Sequence, residues 1–337
     1  MATLTIALAA AGIAALTYGS VKIPPAEVLD ILTGKATGPS PYRTIVLDVR
    51  LPRVLLGAAV GAGLAVIGAT LQALVRNPLA DPFLLGVSSG ASVGAVGAIV
   101  LGGTFGVGTA LATTVTIPAA AFVGAFLTLV VVYALARTGG GGVATGRLIL
   151  AGVAVSYILS ALTSLILVTA ERADHLKEVL YWTLGGLGSA RWDMLALPLT
   201  ALVIGTALLM ALARPLDLLL VGDEGATVLG LDTARFRAGV FVLASLLTGA
   251  LVAYSGAIGF VGLMVPHAAR MLVGAAHRAL LPVAALMGAA FLVTADLAAR
   301  TVAAPQDLPV GVLTALTGGP FFLWLLRRNK TQEGAAA

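Results

Sequence analysis

Apolar blocks of about twenty residues follow one another along this chain, separated by mostly short polar connections. A bilayer core about 30 Å thick is crossed by roughly 20 apolar residues of helix. Inside it, every backbone N–H and C=O has to be satisfied by the spanning structure itself. The fold class that follows is an all-α membrane bundle. Composition agrees: 59% of the 337 residues are hydrophobic and 10% are charged, against roughly 25% charged in soluble domains.

The spans fall at about 2–19, 50–75, 88–103, 113–136, 147–169, 194–213 and 238–254, then a short glycine-broken crossing in SGAIGFVGLMVPH, then about 279–299 and 309–326. The first block lacks the basic start of a secretory signal and reads as a retained span. In PPAEVLDILTG, Val28, Leu29 and Leu32 stand at helical spacing before a glycine stop, which predicts a short interfacial helix. About ten transmembrane helices put both termini on one side. The connections on that side hold 11 Lys and Arg against nine on the other. That is a small lean toward cytoplasmic termini, supported locally by Arg327, Arg328 and Lys330 after the last span.

The 41 glycines exceed what turns need. Gly57 and Gly61, then Gly86, Gly90 and Gly94, recur every four residues, a spacing that lets helix backbones approach closely in lipid. The 337 residues read as one transmembrane domain.

Several chemistries are missing. There are no cysteines, and no Gly-x-x-x-x-Gly-Lys-Ser/Thr run to cradle ATP phosphates. His175, His267 and His277 are scattered without metal-ligand spacing. His267 follows Pro266, where the short crossing is expected to end, and reads as a structural hydrogen-bonding group. Asp296 is the only acid inside a span. Ion-coupled carriers usually hold ionisable groups near the midplane, so its isolation argues against a secondary carrier. An intramembrane serine protease would draw on Ser88 or Ser89 in GVSSGA with His267, but no second motif positions them. Both remain alternatives at this stage.

Three polar stretches carry functional signals. In RNPLADPFLLGVSSGA, Pro78 and Pro82 oppose helix continuation, while Asn77 and Asp81 before them can bond nearby backbone; a rigid turn presenting Leu79 is expected. Arg50 and Arg53 flank Pro52, which suits a first helical turn, so both should project from one face at a helix mouth. Residues 214–237 mix Leu216, Leu218, Leu219, Leu220, Val228 and Leu229 with Asp217, Asp223, Glu224 and Asp232. Such a pattern predicts an amphipathic helix pair that docks in a groove on a partner.

The blocks RLPRVLLGAAVGAGLAVIGATLQALVRNPLADPFLLGVSSGA, LILAGVAVS, GAIGFVGLMVPHAARML and DLPVGVLTALTGGPFFLWLL, in that order, resemble the FecCD permease family nearly end to end. These are membrane subunits of ABC importers for iron-siderophores, haem and cobalamin. The resemblance implies a type II importer permease fold of the cobalamin-importer kind, with no catalysis and no metal or cofactor in this chain. ATP and Mg would belong to two cytoplasmic ATPase subunits. A second permease copy or paralogue and a periplasmic or lipid-anchored binding protein would complete an inner-membrane assembly. It implies a cytoplasmic gate at Asn77 and Leu79, with a second layer at Thr145 and Gly146 after the run Gly139 to Gly142. It implies ATPase coupling through Gly222, Glu224, Ala226, Leu229 and Gly230, and docking of the binding protein on Arg50, Arg53 and Arg300. The cargo itself is not separated by any of these motifs.

Overall fold

The computed structural model describes residues 1–35, 41–102, 115–137, 145–168 and 173–333. Its helices are α1 Ala2–Thr17, α2 Pro25–Leu32, α3 Pro41–Val75, α4 Val87–Gly102, α5 Ile117–Ala136, α6 Thr145–Val168 and α7 Ala173–Leu184. They continue as α8 Ala196–Ala211, α9 Ala213–Leu219, α10 Asp223–Val228, α11 Thr233–Ser255, α12 Val261–Val273, α13 His277–Thr301 and α14 Val310–Glu333. Among the described residues, six helices are long and apolar enough to cross a membrane and four more are apolar but shorter. The ten expected crossings correspond to these. The helix α7, by contrast, lies in a stretch read from sequence only as a polar connection.

The bundle is organised around α3, which is almost wholly buried from Leu56 to Val75. It starts earlier than its apolar run suggests. Instead of opening near Arg50, the helix already runs from Pro41 and passes through a π-helical segment, Ile45–Arg50. Pro52 is the physical reason. It offers no N–H to the carbonyl of Asp48 and its ring crowds that carbonyl. The helix widens instead, and Leu51 N–H bonds five residues back to Val46. Arg50 and Arg53 therefore sit within a continuous helix, not at its mouth.

Helices in lipid gain nothing from burying apolar surface against one another, so close packing has to come from shape. The glycines supply it. A Cβ on Gly61 would lie 2.2 Å from the carbonyl oxygen of Gly288 in α13, and a Cβ on Gly288 would lie 2.2 Å from that of Gly61. The α4–α5 crossing repeats the device: Gly124 would meet the Gly90 carbonyl at 2.2 Å and Gly94 the Ala120 carbonyl at 2.0 Å. Two of the expected glycines serve otherwise. Gly57 faces the Leu187 side chain, and Gly86 takes φ 76 to end a turn.

The short crossing is built differently from the expectation that Pro266 ends it. α12 begins at Val261, after a buried irregular segment, and continues through Pro266 to Val273. Proline within the second turn removes the N–H that would bond the Gly262 carbonyl. That oxygen is pressed against α3, where a Cβ on Gly68 would lie 1.8 Å away. Thirteen helical residues span only about 20 Å, and residues 255–260 complete the crossing. Irregular backbone is tolerated at membrane depth when buried in protein: Ser255 and Ile258 are buried, and the Gly186 N–H donates to the Ser255 carbonyl at 2.9 Å.

The interfacial helix α2 forms as predicted, but Val28 and Ile31 are its buried pair, while Leu29 and Leu32 face outward. The last turn of α1, the start of α3 and the end of α13 meet at one end, called here the cluster end. The end of α3, α9, α10 and the starts of α11 and α13 meet at the other, the coupling end.

Substituting Gly61 by Val is expected to lower the melting temperature in detergent sharply, since overpacking costs about 1–3 kcal/mol or more. Gly97→Ala, which meets open space, should leave it unchanged or slightly raised. Equal melting temperatures for wild type and Gly61→Val would contradict the close crossing.

Candidate functional site

At the coupling end, α3 stops in a Schellman motif. The Asn77 N–H donates to the Gln72 carbonyl at 3.1 Å and the Arg76 N–H to that of Ala73 at 3.2 Å. Arg76 is left-handed, φ 51 and ψ 39, a conformation that costs a non-glycine residue about 1–2 kcal/mol. The turn then locks as the sequence suggested. Asn77 Oδ1 accepts from the Leu79 N–H at 2.9 Å, and Asp81 Oδ1 accepts from the Phe83 N–H at 2.8 Å. A short 3-10 helix, Pro82–Leu85, follows. Leu79 is held half-buried on this turn.

Asp81 is buried, with no cationic partner among the described residues. Burial pushes its carboxyl up to about 6, against the opposing pull of the Phe83 N–H. Thr145 opens α6, its side chain lying outside the described residues, and Gly146 is exposed. The run Gly139 to Gly142 also lies outside them. What packs on the turn is the middle of α6: a Cβ on Gly86 would lie 3.1 Å from Ser156 Oγ and 3.3 Å from the Gly152 carbonyl.

The predicted helix pair is present as α9 and α10. Ala213, Leu216 and Leu219 bury α9 against the bundle. Asp217 Oδ1 accepts from the His277 N–H at 2.9 Å and lies 2.6 Å from His277 Nδ1, so it caps α13. Asp223 stands between two arginines: Oδ2 is 3.4 Å from Arg76 and Oδ1 2.5 Å from Arg237. The outward face carries Val221 at 69%, Val228 at 87% and Leu229 at 61% exposure, beside Glu224 and Gly230. One expected contact residue is corrected: Ala226 is fully buried and anchors α10 to the bundle instead of meeting a partner. Val221 and Val228 were not singled out as contacts. Their signal was apolarity beside Gly222–Glu224 and Leu229 with no inward position left to fill.

At the cluster end the structure corrects the view of three projecting arginines. Arg50, Arg53 and Arg300 are buried, at 4%, 9% and 6% exposure. Arg50 donates to the carbonyls of Leu16 at 2.6 Å, Thr17 at 3.0 Å and Val21 at 2.5 Å. Arg300 donates to that of Ala15 at 3.0 Å. The carbonyls of Ala15, Leu16 and Thr17 belong to the last turn of α1 and have no helical partners, which attracts cations. Arg53 Nε is 3.0 Å from both oxygens of Asp296, and its second arm reaches Asp307 at 2.6 Å. Arg300 Nε is 3.1 Å from Asp296. Asp296 is thus the counterion of two arginines, which occupy both of its oxygens. Among the described residues of the cluster, Asp307, half-exposed, brings it to the surface.

Among the described residues no group of three acidic, histidine or cysteine side chains could hold a metal ion. The rings of His267 and Phe321 meet in a T-shaped arrangement, centroids 6.1 Å apart. The arrangement is that of a helical membrane transport subunit: a close-packed bundle, a braced turn at one end and an amphipathic helix pair beside it.

Comparison with known proteins agrees. The FecCD transport family matches residues 7–328, and this chain belongs to it. It is 48% identical over 294 residues to the cobalamin import system permease protein BtuC of Halobacterium salinarum, covering 87% of this chain and 76% of that one. To the hemin transport system permease protein HmuU of Yersinia pestis it is 45% identical, covering 85% and 84%. To the Fe(3+) dicitrate transport system permease protein FecD of Escherichia coli it is 38% identical, covering 97% and 98%. A metal-chelate type ABC transporter solved in an inward-facing conformation superposes with TM-score 0.82 at 31% identity, covering 97% and 98%. The chain is the permease subunit of an ABC importer and not an enzyme; ATP hydrolysis resides on a separate subunit. Neither the ion-coupled carrier nor the protease is favoured by these findings.

Replacing Asp296 by Ala leaves buried guanidinium groups without their carboxylate, which is expected to cost about 3–5 kcal/mol. Asp307→Ala, at a half-exposed pair, should cost under about 1 kcal/mol. Thermal unfolding of the two variants checks the ranking, and equal losses would contradict it.

A second outcome concerns pH. The folded Asp81 carboxyl titrates near 6 against about 3.9 when unfolded, so the folded chain holds the extra proton between those values. Its contribution favours folding at the acid end and is lost as pH rises through 6. Asp81→Asn keeps the acceptor and removes the charge. It should raise the melting temperature at pH 7.5 and match wild type near pH 4. A difference that does not vary with pH would contradict this.

Proposed function

We propose that this chain, as a single transmembrane domain, forms the pathway for a metal chelate, an iron-siderophore, haem or cobalamin, by pairing with a second copy or a paralogue. Two ATPase subunits bind the coupling end, which faces the cytoplasm together with both termini. The assembly lies in the inner membrane, and a substrate-binding protein sits on the cluster end. There the half-exposed Asp307, and not the buried arginines, meets the partner first. Movement alternates access between the two ends. The turn at Asn77 and Leu79 serves as the cytoplasmic gate, with Thr145 and Gly146 contributing a second layer. What the relatives are named for carrying supports the cargo class.

The observation that carries the coupling role is the outward face of α10 and its flanks. Val221, Val228 and Leu229 stand exposed beside Glu224 at the polar end of the bundle. Apolar side chains rimmed by charge mark a protein contact, and a short helix laid in a groove is a recurring mode of recognition. Gly230, at φ 87, turns the chain back toward α11 in a backbone conformation that a bulky residue would strain.

Val221→Asp combined with Val228→Asp should reduce co-purification of the ATPase subunit at least tenfold while leaving the permease folded. Retention at wild-type levels would remove the coupling assignment. The cargo is identified by competition: vesicle uptake of a labelled ferric chelate should be blocked by the true cargo and unaffected by unrelated compounds. Failure of ferric chelates, haem and cobalamin alike to compete or to be taken up would overturn the cargo class.

A further inference from the structure

Among the described residues, a polar path joins α10 to the turn bearing Asn77 and Leu79, and Asp223 is its centre. It is the first residue of α10. One oxygen faces Arg76 at the end of α3 and the other faces Arg237 on α11. We propose that Asp223 is the positioning residue through which displacement of α10 reaches the turn bearing Asn77 and Leu79. The proposal rests on the coupling role of residues 214–237.

Arg76 supplies the first argument. It holds the left-handed cap of α3, where glycine is ordinarily best suited, and both capping bonds there are backbone to backbone. Glycine would make the same bonds without strain. What arginine adds is a guanidinium directed at Asp223, one residue before Asn77. The next residue in the chain is therefore the one that locks Leu79. Gly222, which caps α10, lies against the same arginine: a Cβ there would be 3.4 Å from its guanidinium.

Arg237 supplies the second. Its side chain is 13% exposed and walls a small pocket formed by Leu74, Val75, Tyr133, Leu148 and Phe241. Those residues belong to the last turn of α3, to α5, to the first turns of α6 and to α11. A carboxylate gripping Arg237 is thereby connected to the end of α3, which leads into the turn, and to α5 and α6.

The weakness of other attachments is the third. α10 has six residues and buries one of them, Ala226. With so little apolar anchorage, a partner pushing on Val228 would tilt α10 on its own unless the charges carried the motion across. Arg76 and Asp223 are both half-exposed, and such a pair contributes little to static stability. Asp223→Asn keeps an oxygen acceptor for the more buried Arg237, so these changes should leave the fold intact and show only under load.

The test uses the assembled complex, this chain with its ATPase subunit and binding protein, in proteoliposomes. Asp223→Asn, Arg76→Gln and the double variant are compared by cargo moved per ATP hydrolysed. Each single change should lower that ratio about fivefold or more. The double should be no worse than the poorer single, since members of one linkage are non-additive. Asp223→Glu should restore most of the ratio. Melting temperature and ATPase co-purification should stay at wild-type values in every variant.

A wild-type ratio in Asp223→Asn would overturn the proposal, as would single effects that multiply in the double. Loss of the ATPase from Asp223→Asn would overturn it too, by making the residue a docking contact. Failure of the broader coupling role is separately visible. If the Val221→Asp, Val228→Asp chain still binds ATPase and transports, that reading falls, and the linkage with it. If only that chain loses ATPase while Asp223→Asn behaves as wild type, the linkage alone falls.

Discussion

Backbone-to-backbone contact at glycine is the constraint on which the bundle depends. Lipid removes the hydrophobic drive between helices, so α3 can hold its neighbours only where their main chains come nearly into touch. Gly61 against Gly288 and Gly68 against Gly262 fix α13 and α12 to α3 about two turns apart; Gly90, Gly94 and Gly124 bring α4 and α5 together in the same way. These crossings admit no added carbon. A rigid column results, and motion is left to what is attached at its ends.

The two ends use charge in opposite ways. At the cluster end, three arginines, Asp296 and the free carbonyls of α1 form a buried set in which each charge is partnered. Breaking any member exposes the rest to desolvation, so this end is stiff. At the coupling end, Asp223 holds two arginines while half-exposed, and Asp217 caps α13 beside buried His277. Pairs of that kind can be remade in a new geometry at little expense. The contrast suits a permease that is gripped on one face and worked from the other.

Much of this was legible in the chain. Apolar length set the crossings, four-residue glycine spacing set the crossings' closeness, and Asn77 and Asp81 before proline announced the turn whose two Asx bonds the structure contains. The alternation of leucine and aspartate over 214–237 announced α9 and α10. Other features depend on contacts between distant residues and left no local mark. Nothing beside Arg53 says that Asp296, 243 positions on, will claim it. Pro52 and Pro266 were read as boundaries, yet packing carried both helices past them, through a π segment in one case and a glycine-lined carbonyl contact in the other. The helix α7 was hidden because Asp174, Lys177 and Glu178 in its first half outweighed the apolar residues after them.

The account stands on energy entering this chain only from an ATPase at the coupling end. Uptake into proteoliposomes tests that most directly, comparing the permease alone under a proton or sodium gradient with the full complex supplied with ATP on the ATPase side. Cargo accumulation in the ATP-supplied complex and none in the gradient-driven permease is the predicted result. Gradient-driven accumulation by the permease alone would contradict it.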